Sequence, residues 1–217
     1  MRLMRLPGVF RPPTDTWMLA SVLREEIDGL RVSALDLCTG TGALALVAAE
    51  EGASATAIDI SRRAVLNVRL NGLVNGLRVR ALRGDLFEPV AGEQFDVIVT
   101  NPPYVPAPDE RLPDSGLDRA WQAGLNGRLL IDRICASVAP HLRPGGAVLI
   151  VQSTINGEDE TCRLLGDAGL AADVVYREHG EFGPLMTRMA PELEDRGLIA
   201  VGERTEEVVV VRGRKLA

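Results

Sequence analysis

Apolar residues recur along the chain in two alternating rhythms, short unbroken runs and longer stretches at helical spacing, which is the pattern of strands alternating with helices. Asp15 stands where it can cap a first helix with Met18, Leu19, Val22 and Leu23 on its apolar side, ending near Gly29. Val32 to Leu37 then reads as a strand, Thr41 to Glu51 as an alanine-rich helix stopped by Gly52, and Ala53 to Ile60 as a second strand. Ser61 caps the next helix, which carries Val65 and Val68 and stops at Gly72, ahead of a strand at Leu77 to Leu82. Phe95 to Thr100 is a fourth strand. Asn126 to Leu142 reads as a helix ended by Pro144-Gly145-Gly146, and Ala147 to Gln152 as a strand. A helix over Asp159 to Ala168 and strands at Ala171 to Tyr176 and Val208 to Arg212 complete the series. Such alternation implies an α/β fold with a mostly parallel sheet covered by helices on both faces.

Two stretches break the rhythm. Asn101 to about Leu125 is too long and too rich in proline to be a bare connection. Arg177 to Thr205 is longer than a hairpin needs; Leu185, Met189, Leu193 and Leu198 form an amphipathic face there, which is more often packed core than a partner surface. Length, 217 residues of which 46% are hydrophobic, supports one core. The expected division is a segment and helix over 1–30 packed on a domain over 31–217, with an insertion near 177–205.

Charge and cysteine usage narrow the function classes. The basic start MRLMR is followed by proline, glycine and arginine rather than an apolar core, so it does not read as a secretory signal, and no run is long enough to cross a bilayer. A soluble, cytoplasmic protein is expected. Cys38, Cys135 and Cys162 form no CxxC pair, and His141 and His179 stand alone, so no metal site is expected. A net charge of −6 argues against nucleic acid as substrate, although a local basic face could survive it.

Asp36-Leu37-Cys38-Thr39-Gly40-Thr41-Gly42 lies at a strand end and opens a helix, the place where open parallel sheets bind nucleotide-like ligands. Glycine there lets the backbone approach a ligand closely. Gly40-x-Gly42-x-x-Ala45 by itself also satisfies a relaxed dinucleotide fingerprint. Asp59, at the end of the second strand, can accept hydrogen bonds from ribose hydroxyls in either ligand class. Asp36 separates them: a carboxylate entering the loop repels a pyrophosphate but can pair with the cationic amino-acid end of S-adenosyl-L-methionine. Arg83-Gly84-Asp85-Leu86-Phe87 adds a third strand-end acid with an apolar pair, suited to an adenine ring.

Asn101-Pro102-Pro103-Tyr104 follows the fourth strand directly and is the most specific string in the chain. The Asn101 side-chain oxygen and the Pro102 carbonyl can accept both N–H bonds of an –NH₂ group; the prolines fix that carbonyl, and Tyr104 can stack on the planar group. On this string, with Phe10-Arg11-Pro12-Pro13-Thr14-Asp15-Thr16-Trp17 and Gly116 to Gly127, the chain resembles the HemK-type protein N5-glutamine methyltransferases over about Gly8 to Leu170.

The resemblance implies the Rossmann-like class I methyltransferase fold with a seven-stranded sheet, S-adenosyl-L-methionine as cofactor with S-adenosyl-L-homocysteine as product, and a glutamine of a translation release factor as acceptor. The expected catalytic residues are Asn101, Pro102, Pro103 and Tyr104. The expected cofactor set is Thr16, Asp36, Cys38, Thr39, Gly40, Gly42, Asp59, Ile60, Asp85, Leu86 and Asn101. Bacterial members usually carry an amino-terminal helical recognition domain, and none is expected here, with only about a helix ahead of the core. It looks more like the short eukaryotic-type members, which work with a small zinc-binding activator. Two other enzyme classes stay open on the residues: methylation of an exocyclic amine on a nucleobase or small molecule, which the same clamp fits, and an NAD-dependent oxidoreductase, which leaves the Asn-Pro-Pro-Tyr string idle. A non-catalytic cofactor-binding scaffold is the fourth reading.

Overall fold

The computed structural model describes residues 1–27, 32–113, 116 and 118–216. Seven strands form one sheet: β1 (Ser33–Leu37), β2 (Ser54–Asp59), β3 (Val79–Arg83), β4 (Phe95–Thr100), β5 (Leu142–Ser153), β6 (Leu170–Glu181) and β7 (Thr205–Lys215). Their order is β3-β2-β1-β4-β5-β7-β6, parallel except for β7, which runs antiparallel to both neighbours. This is the mixed, mostly parallel sheet expected.

The helices are α1 (Thr14–Ile27), α2 (Ala43–Glu50), α3 (Arg62–Asn75), α4 (Leu129–Ser137), α5 (Glu158–Asp167) and α6 (Pro184–Asp195). Alternate strand residues feed opposite faces. Val97, Val99, Leu149 and Val151 pack with α1, α2 and α3, while Ile98, Val148 and Ile150 pack with α4 and α5. The chain reverses direction across the sheet between β1 and β4, which leaves a crevice beyond their carboxyl ends.

Several boundaries differ from the sequence reading, each for a local reason. Asp15 lies inside the first turn of α1, which begins at Thr14, so it is not the cap. The expected end near Gly29 lies outside the described residues. Helix α2 starts after Gly42, whose left-handed backbone delays it beyond Thr41. Helix α3 runs past Gly72 to Asn75 and closes at Gly76, with Gly76 N–H donating to Leu73 and Leu77 N–H to Gly72. The expected helix over 126–142 is real only at Leu129–Ser137; left-handed Gly127 precedes it and a 3₁₀ turn at Ala139–His141 ends it. Pro144-Gly145-Gly146 does not precede β5 but sits within it, where the register against β4 shifts.

The largest difference is at the carboxyl end. β6 and β7 pair from Leu170↔Lys215 to Glu181↔Thr205, roughly twice the expected strand length, and α6 caps the tip of this hairpin. The buried stripe of α6 is Met186, Ala190 and Leu193, packed on Val105, Phe182 and Ile199; of the expected face only Leu193 is buried, with Leu185, Met189 and Leu198 partly buried against this cluster.

Candidate active site

The crevice beyond β1 and β4 is a cavity of about 1220 Å³. Pockets for one small ligand measure roughly 300–1,000 Å³, so there is room for two reactants. Among the residues expected at the site, all line this cavity except Gly42. Gly42 faces away: a Cβ there would meet Val68 of α3 at 3.0 Å, so its role is the turn and not the ligand.

One end is built from strand termini. Asp36 is buried; its Oδ2 accepts from Thr39 Oγ1 at 2.5 Å and from Ala45 N–H at 3.0 Å. Its Oδ1 has no partner, and neither has Thr41 Oγ1 nearby. Burial pushes the Asp36 carboxyl up to about 7. A buried acceptor left empty is costly unless a ligand fills it, and a cation there would restore the carboxylate.

Gly40 has φ +55° and open space where a Cβ would stand, so a ligand can lie on its backbone. Its N–H donates to Asp59 Oδ2 at 2.9 Å, while Asp59 Oδ1 takes Ser61 N–H at 2.8 Å. Each oxygen keeps a further acceptor position. Burial raises the Asp59 pKa as well. Cys38 and Leu86, both cavity residues, hold φ of 56° and 46°, a conformation that side-chain-bearing residues rarely adopt and that concentrates at ligand sites. Burial lifts the Cys38 thiol pKa, so it stays protonated and is no nucleophile. Asp85 is not free: Arg133 of α4 donates to its Oδ2 at 2.7 Å.

The other end is built around Asn101. Its Nδ2 donates to Thr16 Oγ1 of α1 at 3.0 Å, which leaves Oδ1 to accept. One residue earlier on α1, Asp15 accepts from the Tyr104 hydroxyl. Burial, then the Asp15 charge, drives the Tyr104 pKa well above its usual value, so it remains a neutral donor. Glu206 of β7 stands behind this pair with its own pKa raised by burial. The first turn of α1 thus fixes both ends of the Asn-Pro-Pro-Tyr string.

Sequence reasoning missed the braces of this string. Asn156 Nδ2 donates to the carbonyls of Tyr104 at 2.8 Å and Asn126 at 3.1 Å. Buried Arg128 in turn donates to the Asn156 carbonyl at 2.5 Å, the Gly157 carbonyl at 2.9 Å and Thr161 Oγ1 at 3.1 Å, and pairs with Asp132. Gly127 passes so close that a Cβ would lie 2.1 Å from the Tyr104 carbonyl oxygen. The long loop folds on itself, Val105 exchanging hydrogen bonds with Trp121 and Ala123, and Arg196 beyond α6 donates to the Ala107 and Leu125 carbonyls.

The amino-terminal segment was missed too. Asn67, Asn71 and Asn75, four residues apart on α3, accept from the N–H groups of Leu6, Met4 and Arg2 through their side-chain oxygens. The segment so held leads into Phe10, which packs on Trp121 at the cavity mouth with ring centroids 5.6 Å apart. Only the polar stripe on α3 signalled this in the sequence.

No helix among the described residues is long and apolar enough to cross a membrane, and no group of acids, histidines and cysteines there could hold a metal ion. Residues 1–112 match the methyltransferase small domain family. A candidate protein N5-glutamine methyltransferase of Methanocaldococcus jannaschii is 34% identical over 181 residues, covering 83% of this chain and 90% of that one. The release factor glutamine methyltransferase of Deinococcus radiodurans is 38% identical over 146 residues, and the match takes in 64% of this chain but 52% of that longer one. Among solved structures, the E. cuniculi Mtq2-Trm112 complex, described as responsible for methylating the eRF1 termination factor, shares the fold at a TM-score of 0.64 and 23% identity, over 96% of this chain and 99% of that one. The strand-end carboxylates, the braced Asn-Pro-Pro-Tyr string and this likeness over most of the sequence agree, and the chain belongs to the HemK-type N5-glutamine methyltransferases of the methyltransferase small domain family.

Proposed function

We propose that the chain moves a methyl group from S-adenosyl-L-methionine to a glutamine side-chain amide of a translation termination factor, releasing S-adenosyl-L-homocysteine. The observation that carries this reading is the direction of the Asn101 amide. Its nitrogen is committed to Thr16, so the oxygen accepts from the substrate. With the Pro102 carbonyl it takes both N–H bonds of an –NH₂ group and turns the lone pair outward. These neutral acceptors also steady positive charge growing on the nitrogen, so no strong base is required.

The cofactor, when bound, supplies a sulfonium methyl carbon. The residues present fit it. Asp36 Oδ1, buried and unpartnered, would take the ammonium, the spare acceptor positions of Asp59 would take ribose hydroxyls, and the open backbone of Gly40 would admit the ligand. Ile60, Asp85 and Leu86 would hold the adenine, with Arg133 keeping the Asp85 carboxylate in place. Thr16, Cys38 and Thr39 line the space between the two ends. Support for the acceptor comes from the named activities of the relatives.

A small zinc-binding activator subunit belongs to the same reading, because the E. cuniculi relative is a two-chain complex. A cytoplasmic site of action follows from such a substrate. The test is mass spectrometry of an intact termination factor after incubation with enzyme and cofactor, with and without a candidate activator. One added methyl on a glutamine is the expected result. An unmodified glutamine, with cofactor binding verified by calorimetry and the activator present, defeats the acceptor assignment and moves it to a nucleobase or small-molecule amine.

A further inference from the structure

A net charge of −6 hides two regions of opposite sign. Residues 1–14 and 60–84 hold nine of the chain's 24 basic residues and none of its 30 acidic ones, so the rest of the chain carries −15. All nine are arginines. Arg2, Arg5 and Arg11 come from the amino-terminal segment, Arg62, Arg63 and Arg69 from α3, and Arg78, Arg80 and Arg83 from β3 and the residue before it. Every one is exposed.

The fold gathers these segments into one face. The asparagine ladder lays residues 2–6 along α3. Helix α3 covers β2 and β3, and Arg69 donates to the Ala81 carbonyl of β3 at 3.1 Å. Arg83 donates to the Ile60 carbonyl at the start of α3, and β3 is the outermost strand. The face ends at the cavity mouth, which Arg62, Arg63 and Arg83 border.

What sets this face apart is the absence of counter-charge. Among the described residues only Arg80 has a carboxylate partner, Glu93 at 2.7 Å. Elsewhere pairing is the habit: Arg24 with Glu51, Arg143 with Asp96, Arg163 with Asp167, Arg212 with Asp173. Like charges gathered without acids repel one another and cost stability, so a face of this kind is matched to something that neutralises it. Protein interfaces also favour arginine, but set it among aromatic side chains, and residues 60–84 hold none. A row of phosphates fits better, since planar guanidinium groups bind phosphate in bidentate fashion.

We infer that this face docks RNA through its phosphate backbone and so brings the enzyme to an acceptor presented on or beside RNA. The choice of RNA over DNA rests on the termination-factor reading above; the face itself does not.

The test measures binding of the full chain to a fluorescent RNA hairpin by anisotropy across a salt series. The comparators are a DNA duplex of the same sequence, vesicles of neutral lipid with phosphatidylserine, and a poly-glutamate peptide. The variant combines Arg2→Glu, Arg5→Glu and Arg78→Glu, none of which borders the cavity. Neutralising one phosphate steepens the log–log salt dependence by roughly 0.7–0.9. The wild-type chain should therefore bind the hairpin with a steep slope, and the variant should lose about 2–3 of that slope and at least tenfold in affinity. Its thermal midpoint should not fall below the wild-type value and its cofactor affinity should be unchanged, which excludes misfolding. An unchanged slope in the variant overturns the proposal. So does binding of vesicles, poly-glutamate or DNA as tight as that of RNA; vesicles are a pointed control because Leu66, Leu73 and Val74 are exposed on α3. Glutamine methylation is read separately: failure here leaves that assignment standing, while failure of that assignment leaves the phosphate-binding face but removes the ground for RNA over DNA.

Discussion

The two ends of the cavity are made in different ways. The Asp36–Asp59 end is assembled from turns that follow consecutive parallel strands, and its geometry comes from the sheet itself. The Asn101 end starts from one strand terminus but is held by remote pieces: the first turn of α1, the turn at Asn156, buried Arg128, and Arg196 after α6. The family match over 1–112 covers the first end entirely and stops inside the loop that builds the second. The first end is thus written locally, whereas the second is written in long-range contacts.

That contrast can be broken by separating the two functions. Asn101→Ala should lower the methyl-transfer rate by about 10²–10³-fold, the usual loss for one preorganised polar group, with cofactor affinity unchanged by calorimetry. A matching drop in cofactor affinity would mean the two ends are one unit. Asp59→Ala should do the opposite, weakening cofactor binding on the order of 10²-fold for two charge-assisted hydrogen bonds while the rate at saturating cofactor stays near wild type.

Acidity sharpens the same contrast. The folded Asp36 carboxyl lies at about 7 against 3.8 when unfolded, so the native chain keeps a proton the unfolded chain has released. In the absence of ligand this group favours the fold most below pH 3.8, and that contribution fades as pH rises to about 7. Binding a cation requires the proton to leave, so cofactor affinity should rise about fivefold between pH 6 and 7, about tenfold by pH 8, and then level off. Calorimetry in buffers of different ionisation heat should show proton release on binding below pH 7. An Asp36→Asn variant should lose this dependence.

The smallest expected effect concerns the braces. Asn156→Ala strips a donor from the Tyr104 and Asn126 carbonyls and should cost about 1–3 kcal/mol of stability by denaturant titration. Its kcat should fall without a change in cofactor affinity, and an Asn156→Gln variant that recovers stability but not rate would show that position matters beyond folding.

The same division explains what could be read in advance. Strand and helix order, the turn glycines and the strand-end acids are local patterns, and Asp36, Asp59 and Asn101 lie where sequence alone puts them. Gly42 is the exception, because a glycine needed for a turn and one needed for a ligand look alike in sequence. Asp15 was readable as a cap, yet its partner Tyr104 is 89 residues away, and no local rule joins them. Arg128 and Asn156 are similarly separated by 28 residues, and the length of β6 and β7 follows from their pairing with each other, not from their own composition. The −6 total likewise averaged over the arginine-only edge, which becomes visible once α3, β3 and the first residues are neighbours.

The asparagine ladder on α3 treats the first residues of the chain much as a receptor treats a peptide, by gripping backbone amides at every second position. Side chains at Arg2, Met4 and Leu6 are left out of that grip, so the register is set by the main chain and many sequences would be admitted there. A protein shortened by these residues should accept them back as a separate synthetic peptide.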